Sequence, residues 1–340
     1  MKKYDVAIIG AGPAGLEAAK ILASAGKKVV ILERNSVFGK KVCGGGLTTK
    51  DFALGISSEI ADVKFSQVTV KTPLSTTVIK SEKPFVATIA REKLGKFLVE
   101  QDRMNGVDIH LNKEVKDVDK NHLETEDGEK YEFDFLIGAD GSRSLVRRYL
   151  KLSNNKDATA FHYKVPKKYA KMELIFDAKT FGAGYAWIFP HKEFTSIGAG
   201  FHARDFHNSE NLKERFDNWA KSKSIELNDD WYEAWVINYD YKGHQFDNIF
   251  LAGDAAGFAS GFTGEGIYFA MISGAEIAKK ILDPKYDTPE LNKILKIKAN
   301  QENVLDLLRK NRILSQAIFS LAGLVFKTHW FDKKLVKDFS

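Results

Sequence analysis

The 340-residue sequence predicts an α/β fold: a doubly wound, Rossmann-like domain carrying an inserted, mainly antiparallel β-sheet domain and ending in helices. Three observations predict it. Short apolar strands run into glycine-containing turns near residues 9, 137 and 252, and the first and third of these turns lead into helices. Between them lie stretches that alternate at period two. The last fifty residues read as helices.

Bulk properties narrow the function classes. Hydrophobic residues at 44% and charged residues at 28% describe a soluble globular chain. The net charge of +6 favours an anionic partner, either a phosphorylated cofactor or an acidic lipid surface. Nucleic acid is not expected, because the lysines are not clustered with aromatic residues. Cys43 stands alone, which excludes an internal disulfide and a multi-cysteine metal site, and a cytoplasmic location is expected. No metal is expected. The opening MKK and the apolar VAIIGAGPAGL superficially match a signal peptide, but Glu17 and Lys20 interrupt the apolar run. No run has the length of a membrane span.

The first segment, YDVAIIGAGPAGLEAAKILASAGKKVVILERN, reads as a strand at 6–9, a helix at 14–25 and a strand at Val29–Leu32. Between strand and helix lies Gly10-x-Gly12-x-x-Gly15. The first glycine permits a tight turn, the second lets backbone approach a pyrophosphate, and the third lets helix and strand pack closely. The helix N-terminus offers N–H groups and partial positive charge to phosphates. Glu33 closes the second strand, where a carboxylate meets a ribose. Together these predict a dinucleotide site.

The second segment is a strand at 133–137 running into Asp140-Gly141, which by itself reads as a turn. The third, DNIFLAGDAAGFASGFTGEGIYFAMISGAEIAKKIL, is a strand at 249–252, then Gly253-Asp254, a glycine cluster, and a helix over about 266–282. This again describes a site for an electron-rich group.

Together the three segments resemble the flavoprotein hydroxylase and reductase superfamily, which binds FAD. The resemblance implies that Gly10, Ala11, Gly12, Pro13, Ala14 and Gly15 hold the pyrophosphate, with Glu33 and Arg34 at the ribose. It implies that Gly253, Asp254, Gly264, Gly266 and Ile267 approach the ribitol and flavin. Asp140-Gly141 matches a family motif, and Val115 joins the implied cofactor set. Arg91, opening REKLGKFLVEQ, matches a cofactor-touching arginine or is a solvated charge at a helix start.

The expected FAD domain covers 1–64, 86–158 and 246–285, the substrate domain 65–85 and 159–245, and a C-terminal helical segment 286–340. Within the substrate domain, Tyr185, Trp187 and Phe189 share one face of a strand by period two. That face is either aromatic core or an apolar wall for a substrate. The pattern Tyr185-Ala186-Trp187-Ile188-Phe189-Pro190, followed by Gly198-Ala199-Gly200, looks like the signature of the geranylgeranyl reductase family. So does Cys43-Gly44-Gly45-Gly46-Leu47 after the ribose acid.

The resemblance implies reduction of isoprenoid C=C bonds by hydride from reduced FAD, with Tyr185 and Trp187 lining the cavity. Cys43 or Tyr185 are candidate proton donors, each weaker than a bound water. Electrons would come from transiently docked NAD(P)H or a reduced protein donor. The chain departs from the family by having Ser260-Gly261-Phe262-Thr263 where a proline is expected, so a more flexible loop is anticipated. Triple glycine at 44–46 is read as backbone passing close to the flavin, or as a flexible surface loop. Leu314, Ala317, Ile318, Leu321 and Val325 form a helical stripe, expected to pack on the body or, with Lys327, Lys333, Lys334 and Lys337, to meet a membrane peripherally. Two other readings stay open: an FAD monooxygenase or halogenase, and a non-catalytic prenyl-binding protein on the same fold.

Overall fold

The computed structural model describes residues 2–202, 205–206 and 211–325. The chain divides into two compact units. The first comprises residues 1–40, 92–157 and 237–301, and the second 41–91, 158–236 and 302–340. These boundaries differ from those expected. Residues 41–64 and 86–91 group with the second unit, 237–245 with the first, and the C-terminal segment is shared out between them.

In the first unit the strands lie in the order Gln245–Phe246, Ile249–Leu251, Lys130–Gly138, Lys2–Ile9, Val29–Leu32 and Asp108–His110. From Ile249–Leu251 to Asp108–His110 all neighbours are parallel. Val115–Val118 and His122–Thr125 extend the sheet antiparallel from Lys130–Gly138. Val29–Leu32 is buried throughout, as expected of a parallel strand covered on both faces. The register pairs Ile9 with both Gly138 and Leu32, so three strands end level and deliver Gly10, Glu33 and Ala139 to one edge. Connections leave the central strand in opposite directions there, which is where doubly wound sheets bind ligands.

Helix Pro13–Ser24 buries Ala14, Gly15, Ala18 and Ala19. These small residues allow very close packing: a Cβ on Gly274 of helix Ile267–Leu282 would lie 2.1 Å from the Ala14 carbonyl oxygen.

In the second unit a sheet runs in the order Tyr232–Asn238, Asp157–Val165, Thr195–Phe201, Tyr185–Pro190, Glu173–Ile175, Gln67–Thr72 and Ser75–Lys80. Only the pairing of Glu173–Ile175 with Gln67–Thr72 is parallel among the pairings described. Gly46–Thr48, Val86–Thr88 and Val63–Phe65 make a small sheet of their own. Phe161, Tyr163, Phe201 and Phe216 are fully buried, and their rings pack against one another at 5.3–5.9 Å.

Helix Arg312–Val325 does not pack by its apolar stripe. Leu314, Ala317 and Leu321 are exposed, whereas Ser315, Phe319, Ser320 and Gly323 are buried. The small residues let the helix backbone reach the hairpin, where Thr77 Oγ1 donates to the Gly323 carbonyl at 3.0 Å. The side chain of Val325 and residues Lys327, Lys333, Lys334 and Lys337 lie outside the described residues. No described helix is long and apolar enough to cross a membrane.

Candidate functional site

The glycine loop of the first unit is built by steric demand. Gly10 has φ +104°, and a Cβ there would lie 2.4 Å from the Ala139 carbonyl oxygen. A Cβ on Gly15 would lie 2.2 Å from the Gly10 carbonyl oxygen. Gly12 is different, because open space lies where its side chain would be. It precedes helix Pro13–Ser24, whose N-terminus has no side-chain cap and no acidic residue in its first turn. Glu33 Oε2 accepts from Ala11 N at 2.9 Å, and Oε1 accepts from Asn35 N at 2.9 Å, so the acid grips the loop that it follows. Arg34 beside it is exposed. Buried Val115 sits in the strand pairing with His122–Thr125.

Asp140 turns inward. Its Oδ2 accepts from Leu145 N at 2.6 Å, its Oδ1 is buried without a hydrogen-bond partner among the described residues, and burial raises its pKa. Gly141 beside it, at φ +77°, faces open space. Asp254 is buried and accepts from Ser142 Oγ at 3.0 Å, while Asn238 Nδ2 donates to the Asp254 carbonyl at 2.8 Å. Neither Ser142 nor Asn238 was predicted: Ser142 follows the Asp140-Gly141 motif without being part of it, and Asn238 lies in a distant segment.

The Asp254 Oδ1 atom lies 3.7 Å from where a Gly266 Cβ would be. Gly266 caps helix Ile267–Leu282, a second N-terminus with neither a side-chain cap nor a first-turn acid. Gly253 packs against Ala14 and Ala270, so both helix starts meet beside Gly253-Asp254. Two uncapped N-termini and an open Gly12 suit a diphosphate and an electron-rich ring, which is the donor set FAD requires. The loop before Gly264 is held without proline, since Ser260 Oγ accepts from Phe262 N and Thr263 N at 3.2 and 3.0 Å.

Cys43, Gly44, Gly45, Arg91, Tyr185 and Trp187 belong to the second unit. The glycines answer to protein groups. A Cβ on Gly44 would lie 3.0 Å from Trp187 Nε1, and one on Gly46 would lie 3.1 Å from Phe189. Gly45, at φ +76°, would meet the Ile89 carbonyl oxygen at 2.5 Å and His191 Cε1 at 2.6 Å. Gly198 has the same logic, with a Cβ falling 2.5 Å from Trp187 Cζ2. The spacing between the Trp motif and Gly198 therefore reflects an indole lying across the neighbouring strand.

Tyr185, Trp187 and Phe189 share one face, with ring centroids 6.2 and 6.1 Å apart, and Ala186 and Ile188 join the core on the other. Trp187 Nε1 donates to Ser196 Oγ at 2.9 Å, and Ser196 bonds His162 Nδ1 at 2.6 Å. His162 Nε2 then donates to Glu233 at 3.0 Å. Burial lowers the His162 pKa, and the bond from His162 holds the Glu233 carboxyl at about 2. Arg91 opens helix Arg91–Met104, with Nε and Nη1 buried and without hydrogen-bond partners among the described residues. Such orphaned donors suit an acceptor-rich ligand.

Comparison with known proteins gives the family. Residues 3–285 match the family described as FAD binding domain. An uncharacterized protein of Methanosarcina barkeri is 32% identical, over 83% of this chain and 75% of that one. The geranylgeranyl diphosphate reductase of Rhodobacter capsulatus is 28% identical, over 82% of this chain and 74% of that one. The crystal structure of a geranylgeranyl bacteriochlorophyll reductase-like protein from Thermoplasma acidophilum superposes with a TM-score of 0.82 at 20% identity, covering 97% of this chain and 92% of that one. At that identity the last likeness shows the fold alone.

Proposed function

The chain belongs to the FAD binding domain family of FAD-dependent oxidoreductases, and from that premise we propose that it reduces C=C bonds of an isoprenoid or similarly apolar substrate. FAD would supply the hydride. Gly10–Gly15 and the start of helix Pro13–Ser24 would hold its diphosphate and Glu33 its ribose, with Asp254 and the helix start at Gly266 beside the ring system. Transiently docked NAD(P)H or a reduced protein donor would supply the electrons.

The observation that carries the substrate class is the aromatic face of Tyr185, Trp187 and Phe189, against which Gly44 and Gly46 pack. It supports an apolar wall in a family whose relatives include geranylgeranyl reductases. A water-excluding wall of this kind keeps a reduced cofactor from side reactions. The proton for the second alkene carbon would come from ordered water, Cys43 or Tyr185.

A peripheral lipid contact belongs to the same reading. A groove of about 1880 Å³ in the second unit is lined by the exposed apolar Leu74, Ile313 and Leu321, by the cations Lys71, Lys179, Arg215, Lys223 and Arg312, and by the fewer acids Glu173, Asp177 and Glu214. That mixture suits anionic headgroups over acyl chains.

Product analysis tests the function. Reduced enzyme and a prenyl lipid incubated without oxygen should yield product gaining two hydrogen atoms per double bond by mass spectrometry. A hydroxylated or halogenated product formed only with oxygen would establish a monooxygenase or halogenase instead. Purified protein that is colourless and takes up no FAD would favour a non-catalytic prenyl-binding protein.

A further inference from the structure

The Cys43–Gly45 turn is held by a residue outside every motif of the sequence. His191 Nε2 lies 3.0 Å from the Gly44 carbonyl oxygen, and its Nδ1 lies 3.0 Å from Asp62 Oδ2. The side chain is 2% exposed and stacks on Phe194 with ring centroids 4.4 Å apart. Asp62 Oδ2 also accepts from Ala90 N at 2.8 Å. On the other side of the turn, Ile89 N donates to the Gly45 carbonyl at 2.9 Å, and Gly45 N donates to Cys43 Sγ at 3.4 Å. The thiol is therefore placed by Gly45, and Gly45 sits between Ile89 and His191.

A carbonyl and a carboxylate only accept hydrogen bonds. A neutral imidazole has one N–H, so it can satisfy one of these acceptors and presents a lone pair to the other. Both contacts are bonds only when both ring nitrogens carry protons. When one proton leaves, the Asp62 charge retains the proton on Nδ1, and Nε2 then faces the Gly44 carbonyl lone pair to lone pair. We propose that doubly protonated His191, braced by Asp62, is a latch that fixes the Cys43–Gly45 turn, and that its deprotonation releases the turn and exposes the thiol.

His162, with its partner Glu233, lies close enough for the charge of His191 to act on it, and Lys164 sits 5.9 Å from the Phe194 ring centroid. Lys192 and Glu193 of the same turn are exposed. Asp62 is the carboxyl group in contact with the ring. The latch does not depend on which substrate the enzyme reduces, and His191 is a positioning residue.

Cys43 is the only cysteine in the chain, so its reactivity reports the turn without interference. The holoenzyme and a His191→Gln variant would be labelled with a pyridyl disulfide, which reacts at acid as well as neutral pH. The latch predicts that the variant reacts about tenfold faster than wild type near pH 5.5, the worth of one charge-assisted bond. The ratio should fall toward one as pH is raised from about 5.5 to about 8. A ratio that is constant across pH, or equal to one throughout, would overturn the proposal. Should the variant fail to fold, the long-range ¹H–¹⁵N spectrum of the wild type decides. Imidazolium signals for His191 near pH 5.5 that give way to a single Nδ1–H tautomer at higher pH are expected, whereas a neutral ring throughout contradicts the latch.

Discussion

Gly45 concentrates the residue-scale argument, because it combines a left-handed φ with two contacts that a methyl group would violate. The Ile89 carbonyl is backbone and cannot swing aside. Gly45→Ala should therefore lower stability by about 2 kcal/mol or more, read as a drop in melting temperature. An unchanged melting temperature would mean that the turn is not built this way. Asp102 tests electrostatics in the first unit. Both of its carboxyl oxygens are buried without hydrogen-bond partners among the described residues, and burial pushes its pKa up to about 8, opposed by Lys20 and reinforced by Glu17. A raised carboxyl pKa stabilises the fold while the group is protonated in the folded state. That contribution is complete below the unfolded value of about 3.9 and is lost as pH rises to about 8. Melting temperature should fall more steeply between pH 5 and 8 in wild type than in Asp102→Asn; parallel slopes would contradict the assignment. Neither His191 nor Asp102 was legible in the sequence, since each draws its meaning from neighbours brought in by the fold. Asp62 and Gly44 are 129 and 147 positions from His191.

At the scale of elements, the nucleotide-binding motif was the most legible part. Val29–Leu32 forms as read, and the helix read at 14–25 runs Pro13–Ser24. Such motifs are local, with strand, turn and helix start lying within a few residues of one another. The C-terminal helix shows the limit. Its apolar stripe was visible, but which face packs depends on small residues fitting a hairpin far away in sequence. Ser260 replaces an expected proline by bonding two backbone amides, a substitution of mechanism that composition does not reveal. The uncapped helix start at Gly12 gives a test in which stability and binding separate. Aspartate is a good N-cap, better than glycine by about a few tenths of a kcal/mol, and the space there is open. Gly12→Asp should fold as well as wild type yet lose FAD, because its carboxylate takes the place of a phosphate. Retention of FAD at wild-type affinity would remove this helix start from the cofactor site.

The whole molecule is one chain distributed over two units, each assembled from three stretches of sequence. The α/β class with an inserted antiparallel sheet was legible because glycine turns and period-two stretches mark it directly. The boundaries were harder. Gly46–Thr48, Val63–Phe65 and Val86–Thr88 are only three residues each, too short to display alternation, and they carry residues 41–64 and 86–91 into the second unit. Under the proposed function, electrons held on FAD pass to an alkene. The most direct test is anaerobic spectroscopy of the reduced holoenzyme after addition of a prenyl lipid. The flavin absorbance should recover in proportion to the double bonds saturated, with no recovery in buffer alone. Flavin that stays reduced with every prenyl lipid, yet reoxidises with oxygen while hydroxylating or halogenating the substrate, would contradict the account.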